Sequence, residues 1–332
     1  MAMVLLRLVA LLLITARVWA DPVAEYTFQT SPPANELLNP PKRVPADWQQ
    51  RSGAVSINAE WEKDHAKPWF VELQRDGVHW VQSGLANHHA DSIAWGLKQL
   101  QWGFQQMKPD GSFDCPDAFH SASFLMESTA HAILLVAASP HAAEFHDQVE
   151  AMKGSLLTCA KWMISPGNDK TAQKQRIYTH RRFLLGCGLI ECTLITGDPA
   201  VREKALFFID DGIRLQRDDG AFPEKGGHDS SYHSVGLIYL QRLLLVTPSE
   251  FKKPSWTEAA AHGAEWLRGR IDGNGVVSVE GNTRTGSGQE KGRTGTLKNV
   301  NLPEVATALL YRHQATGDEQ WLELARKVMG KH

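Results

Sequence analysis

The stretch HRRFLLGCGLIECTLITGDPAVREKALFFIDDGIRL, residues 180–215, decides the fold. Phe183 to Thr196 is apolar on nearly every side, and Gly186 and Gly188 within it leave room for a neighbouring backbone, the pattern of a helix buried all round. Thr196-Gly197-Asp198-Pro199 then stops that helix and starts another, with Asp198 as N-cap and Pro199 in the first helical position. The second helix gathers Val201, Ala205, Phe208, Ile209 and Gly212 on one face and places Arg202, Glu203, Lys204, Asp210 and Asp211 elsewhere. The unit reads as a hairpin of an inner, buried helix and an outer, amphipathic one.

The same grammar recurs on both sides. Phe124 to Ala138 is a second apolar helix, closed by Ser139-Pro140 before a more polar helix that ends at Trp162. Leu237 to Val246 leads through Thr247-Pro248 to Ser255-Trp256-Thr257-Glu258, which reads as a capping box. Leu302 to Ala315 leads through Thr316-Gly317-Asp318 to a last helix with Trp321 and Leu324 on its buried face, and Ser92 to Met107 supplies an earlier member. Between the pairs, turns place Gly111, Gly167, Gly220 and Gly273 at intervals of 56, 53 and 53 residues. Such a period fits a helical hairpin with its two loops. The expected fold is all-α, an α/α toroid of inner and outer helices forming a complete or incomplete barrel. The only strand candidate is a small hairpin at 275–280.

After each turn a polar residue opens an apolar segment: His120, His180, His233 and Asn301. In a true repeat these groups lie at one end of equivalent helices, around one mouth.

Residues 1–20 read as a cleavable leader. Arg7 precedes an apolar run from Leu8 to Ile14, and Val18-Trp19-Ala20 offers small residues for cleavage after Ala20. A secreted or periplasmic location without a membrane anchor is expected. Residues 21–58 are rich in proline and read as an extended arm, and residues 59–332 as the helical catalytic domain. The chain carries 35 Lys and Arg against 37 Asp and Glu, and loss of Arg7 and Arg17 with the leader takes the formal net charge from −2 to −4. That balance argues against nucleic acid as a partner. Basic residues nevertheless concentrate between Lys170 and Arg182 and between Arg268 and Lys298, which predicts an electropositive mouth suited to an anionic ligand. Cys115, Cys159, Cys187 and Cys192 read as buried thiols or at most one bridge, without the spacing of a zinc or redox motif.

Helix pairs, turns such as Asp110-Gly111-Ser112-Phe113 and Asp219-Gly220-Ala221-Phe222, and a leader together resemble the α/α-toroid polysaccharide lyases, the alginate, glucuronan and heparin-type enzymes. The stretches DGAFPEKGGHDSSYH (219–233) and GNTRTG (281–286) carry the resemblance. It implies β-elimination on a uronate glycan, with an Asn, Arg, His or protonated Glu neutralising the carboxylate, His or Tyr as base and acid, and no cofactor or metal. That chemistry removes a weakly acidic proton α to the carboxylate, so it needs a neutralising donor as well as a base and an acid.

The densest candidate cluster is Gly226-Gly227-His228-Asp229-Ser230-Ser231-Tyr232-His233, whose glycines admit close backbone approach. Tyr232 is the expected acid, with His233 or His180 as base. Arg284 is expected to pair bidentately with the uronate, alongside Asn282 as donor. His120 completes the catalytic set. Tyr178, Arg181, Glu224 and His228 are expected to bind substrate, Glu224 as a protonated donor if shielded. His88 and His89 are further substrate-binding candidates. Trp80, Trp95 and Trp102 read as core residues or sugar-stacking platforms. A metal on His228, Asp229 and His233 is the weaker reading, because the spacing matches no zinc motif. Two other functions compete: a glycoside hydrolase on a related toroid, using two carboxylates across the cleft, and a glycan-binding protein without turnover.

Overall fold

The computed structural model describes residues 20–55, 70–288, 290–292 and 295–331. Among them are thirteen α-helices, three short 3-10 turns and no strand beyond isolated bridges. The expected leader lies outside the described residues, apart from Ala20 at its edge, and so does the expected start of the domain at 59–69.

The sequence grammar sets the helix ends. The 180–215 stretch forms α8 (Thr179–Thr196) and α9 (Pro199–Ile213). Gly197 stops α8 at φ +73°, and the Asp198 carboxylate accepts from the backbone N–H groups of Ala200 at 3.0 Å and Val201 at 3.1 Å. Gly186 faces Ile209 of α9 and Gly188 faces Glu127 of α5 (Ala118–Ala137), so the two glycines do admit close neighbours. The same device recurs where Gly317 and Asp318 separate α12 (Leu302–Thr316) from α13 (Glu319–Val328). The expected capping box is corrected: α11 spans Pro254–Arg268, so Ser255 lies inside the helix and Lys253 holds the cap position without a side-chain bond.

The other helices are α3 (Asp76–Ala86), α4 (Ala90–Gln105), α5 (Ala118–Ala137), α6 (His146–Met163), α7 (Pro166–Lys174) and α10 (Ser230–Val246). Helices α3, α5, α8, α10 and α12 pack consecutively. Each is followed by a partner packed against it: α4, α6, α9, α11 and α13. The consecutive five are termed inner helices and their partners outer ones; α5 and α8 are buried on every face over most of their length.

The glycine repeat is real but differently placed. Gly111 and Gly220 sit at φ +91° and +92°, and a Cβ on either would fall 2.5–2.6 Å from a carbonyl of an outer helix, Thr158 on α6 and His262 on α11. The equivalent positions in other pairs are Gly53, against Lys98 of α4, and Gly275, against Lys327 of α13. Gly167 instead lies in α7, and Gly273 has no neighbour near its would-be Cβ.

The expected extended arm is also corrected. Residues 20–37 form α1 (Ala20–Gln29) and α2 (Pro32–Leu37). Prolines 32 and 33 occupy the first helical turn, where their missing N–H is no loss, and Ser31 caps it. Helix α1 packs against α5 and α10, and Phe28 stacks on Tyr311 of α12 at 4.0 Å. In α2, Asn35 donates to the carbonyl of Ala86 and Glu36 pairs with Arg326; just beyond it, Ser83 donates to the carbonyl of Pro40 and Asn87 to that of Asn39. The segment therefore ties the first inner helix to the last helix pair. Trp95 and Trp102 are core residues, and all four cysteines are free thiols, three of them buried. No helix among the described residues is long and apolar enough to cross a membrane.

Candidate active site

The inner helices bring His120, His180 and Tyr232 into the first turns of α5, α8 and α10. Asp229 caps α10, accepting from Ser231 and Tyr232, and its second oxygen takes the backbone N–H groups of Arg284 at 2.9 Å and Thr285 at 2.7 Å. One buried carboxylate thus fixes the helix carrying Tyr232 and the loop carrying Arg284. The turn 224–227, with Lys225 at φ +51° and Gly226 at +83°, folds Glu224 back onto Tyr178.

His180 and Glu224 form a buried pair. Nδ1 of His180 lies 2.7 Å from Oε1 of Glu224, which also accepts the backbone N–H of His180 at 3.1 Å. With a carboxylate as acceptor, Nδ1 carries the proton and Nε2 the lone pair. Burial lowers the His180 pKa, outweighing the opposing pull of Glu224, so the ring is a neutral base. Tyr232 lies against it, ring to ring at 5.0 Å, and its phenol oxygen accepts from Nζ of Lys298 at 2.9 Å. The Arg284 guanidinium lies over the Tyr232 ring, 3.3 Å from its centroid.

Arg181 stacks on Tyr178 at 4.4 Å and reaches Nε2 of His120 at 3.3 Å. A guanidinium only donates, so His120 Nε2 accepts and Nδ1 holds the proton. Both that Nδ1 and the Arg181 Nε are buried without a partner among the described residues. Burial, reinforced by Arg181, pushes the His120 pKa down to about 2, and burial also lowers that of Arg181.

Beside this cluster lies a cavity of about 610 Å³. Its rim includes Arg75 and Asn301, and its walls carry Asp76 and His79 from α3, Glu304 from α12 and Tyr239 from α10. At its base Glu127 pairs with Arg242. Burial raises the Glu304 carboxyl to about 7, against the pull of Arg75. Arg75 also pairs with Glu72, whose carboxylate lies 3.9 Å from His120, which links the rim to the cluster.

His120, Tyr178, His180, Arg181, Glu224, Tyr232 and Arg284 therefore come together; the repeat spacing predicted this only of His120 and His180 among them. Two of their expected roles change. Arg284 is not free for a substrate carboxylate: its Nε and Nη2 bind Glu290 at 2.9 and 3.0 Å, and its Nη1 binds Glu224 at 3.2 Å. Against the cost of burial, Glu290, Tyr232 and Glu224 hold this guanidinium above its ordinary range. Glu224 is not a protonated donor, since both its oxygens accept, from His180 and from Arg284.

The remaining candidates are structural. His233 accepts from the Phe222 N–H at Nδ1 and donates to the Gly263 carbonyl from Nε2 at 2.8 Å, so it has no capacity left for catalysis. It points to the outer side of α10 because it follows Tyr232 by one residue, about 100° around the helix. Asn282 accepts from Ser230 and donates to Thr285, binding loop to helix rather than sugar. His228 bonds the Glu280 carbonyl and lies against Trp266, and Gly227 makes room for Thr283 rather than for a ligand. His89 caps α4 through Ser92, and with His88 it sits at the C-terminal end of α3, whereas the cluster gathers at inner-helix N-termini. These uses also remove His228, Asp229 and His233 as a metal set. Among the described residues the group able to ligate a metal is Glu127, Cys187 and Glu191, with donor atoms within 4.8 Å, at the cavity base where Arg242 already engages Glu127.

Lys298 entered the sequence reading only as the end of a basic stretch, while Glu290, Arg75, Asp76, His79 and Glu304 escaped it. For the last four a signal was present, since they lie at or within the first turns of α3 and α12, as His120 and His180 do in α5 and α8. Known proteins add no relative: no family model, no curated protein and no solved structure matches the chain.

Proposed function

We propose that the chain is an exported polysaccharide lyase, built as an incomplete α/α toroid, that cleaves a uronate-containing anionic glycan of alginate or glucuronan type by β-elimination. The observation that carries this reading is the neutral His180, oriented by Glu224, facing a tyrosine whose phenol oxygen receives a lysine ammonium. His180 Nε2 takes the proton α to the uronate carboxylate, and electrons move to form the C4–C5 double bond as the O4-linked sugar leaves. Tyr232 donates its proton to the departing oxygen, and Lys298 stabilises the phenolate left behind. Arg181 replaces Arg284 as neutraliser of the carboxylate. Its buried Nε has no partner among the described residues, and an anionic ligand supplies the charge it lacks. Arg284 acts as a positioning residue that holds Glu224 and the Tyr232 ring.

One observation favours a second reading. Glu304, with its raised carboxyl, shares the cavity with Asp76 and Glu127, a set from which a hydrolase draws its acid and base. Incubation of purified protein with alginate, glucuronan and hyaluronan separates the two. A rise in ultraviolet absorbance from the conjugated double bond, lost in His180→Ala and Tyr232→Phe, is the expected result. Saturated products that depend on Glu304 replace the lyase reading with the hydrolase one.

A further inference from the structure

The cavity beside the cluster has the form of a pocket with a floor. Its walls are α3, α5, α10 and α12, and between α12 and α3 the fifth wall is the N-terminal segment, through Gln29, Leu38, Asn39 and Lys42. That segment is fastened on both sides, to α3 through Asn35, Asn87 and Ser83 and to α12 through Phe28 and Tyr311. The floor is the Glu127–Arg242 pair, and behind it the space is filled. Glu25 of α1 accepts from Gln29 at 2.9 Å and from Tyr311 at 2.6 Å, and lies 3.5 Å from His131, all four being fully or almost fully buried.

A polymer cleaved in mid-chain must enter and leave its site. A pocket of about 610 Å³ closed at its base suits a compact ligand, within the roughly 300–1,000 Å³ typical of sites that engulf small molecules. We propose that the pocket receives the end of a glycan chain, so that the protein releases short units from uronate oligosaccharides or polymer ends, with the N-terminal segment as the stop. This rests on the lyase reading. It also gives the cations at the pocket their use: Arg75 at the rim and Lys42 over the Trp80 ring stand where the carboxylates of a terminal uronate segment pass.

The test follows product size against time on a defined uronate polymer and on its short oligosaccharides, by ultraviolet-detected size exclusion with mass spectrometry. The expected result is steady release of the smallest unsaturated product while the polymer peak persists, with oligosaccharides turned over faster per mole of chain. A ladder of intermediate unsaturated products with early collapse of the polymer overturns this inference and leaves the lyase reading standing. No unsaturated product from any substrate overturns both. Asn87→Ala unties the segment from α3 at a residue outside the site, and a shift toward longer products is expected. An unchanged product distribution in that variant removes the segment as the stop.

Discussion

Acidification should unfold this protein through its buried neutral histidines, and His233 lets the size of the effect be worked out. Its ring is 1% exposed, and burial pushes its pKa from 6.5 to about 4. As pH falls through 6.5 the unfolded chain binds a proton that the folded chain refuses until about pH 4. Stability from this site is therefore complete above about pH 7, lost progressively between 6.5 and 4, and level below. Between pH 7 and pH 5 the loss comes to about 2 kcal/mol from this one side chain. His120, pushed down to about 2, adds a comparable loss over the same interval, and His131 and His180 shift in the same direction. The assay is urea unfolding at a series of pH values for the native chain and for His233→Gln. The amide can still accept from Phe222 and donate to Gly263, so the variant should fold. It should be less stable at pH 7 by about 1–2 kcal/mol through poorer geometry, yet its stability should fall less between pH 7 and 5, by about 2 kcal/mol. Parallel curves for the two proteins would refute the assignment of His233 as a buried neutral group.

Four further outcomes follow from the geometry. Glu224→Gln removes the carboxylate that sets the His180 tautomer and breaks its buried pair with Arg284, so the melting temperature should fall, and kcat of the folded variant on uronate polymer should fall by roughly 10²–10⁴; retention of activity within a few-fold would exclude His180 as base. Tyr232→Phe should lower turnover by about 10²-fold or more while calorimetry shows the oligosaccharide still bound. Arg181→Ala should raise KM for uronates and lower kcat, and added guanidinium should restore part of the rate, whereas a purely structural Arg181 would show no rescue. Gly220→Ala, at φ +92° with a carbonyl 2.6 Å from its Cβ, should cost about 1–3 kcal/mol or more, while Gly273→Ala, with open space, should be nearly neutral; thermal melts of the two variants check the placement of the repeat.

What the sequence revealed depended on how local the determinant was. The hairpin 180–215 was legible because its caps, its glycine stop and its apolar faces are set by neighbours within a turn or two. The mouth was legible for a related reason. His120 and His180 both lie in the first turn of their helices, so His120 meets Arg181, the neighbour of His180, although about sixty residues separate them, whereas His233 turns away. The arm was misread because proline marks both extended chain and the first turn of a helix. The choice between these falls to what the segment packs on, here Tyr311 and the bonds to α3.

Partner choice among the charged groups was beyond any local signal, and Arg284 shows why. Its guanidinium was read as the uronate's partner, because a fork-shaped cation in a glycine-rich loop is built for a carboxylate. The carboxylates it meets are the protein's own. Glu290 is six residues on, and despite its partial burial Arg284, Lys298 and Lys225 hold it well below the usual carboxylate range. Glu224 arrives from sixty residues away, on a turn whose left-handed residues fold it under His180. Once two carboxylates occupy Arg284, Arg181 is the guanidinium of this cluster without an ion pair among the described residues, a neighbour of His180 in sequence and of His120 in space. The difference can be read in one pair of measurements. Arg284→Lys keeps a positive charge but breaks the fork, so it should loosen Glu224 and shift the acid limb of the pH–rate profile that His180 governs. Arg181→Lys keeps a charge for the substrate and should move KM while leaving that limb in place. If instead Arg284→Lys changed KM alone, the guanidinium would be a substrate ligand after all, and Arg181 would lose the neutralising role given to it here.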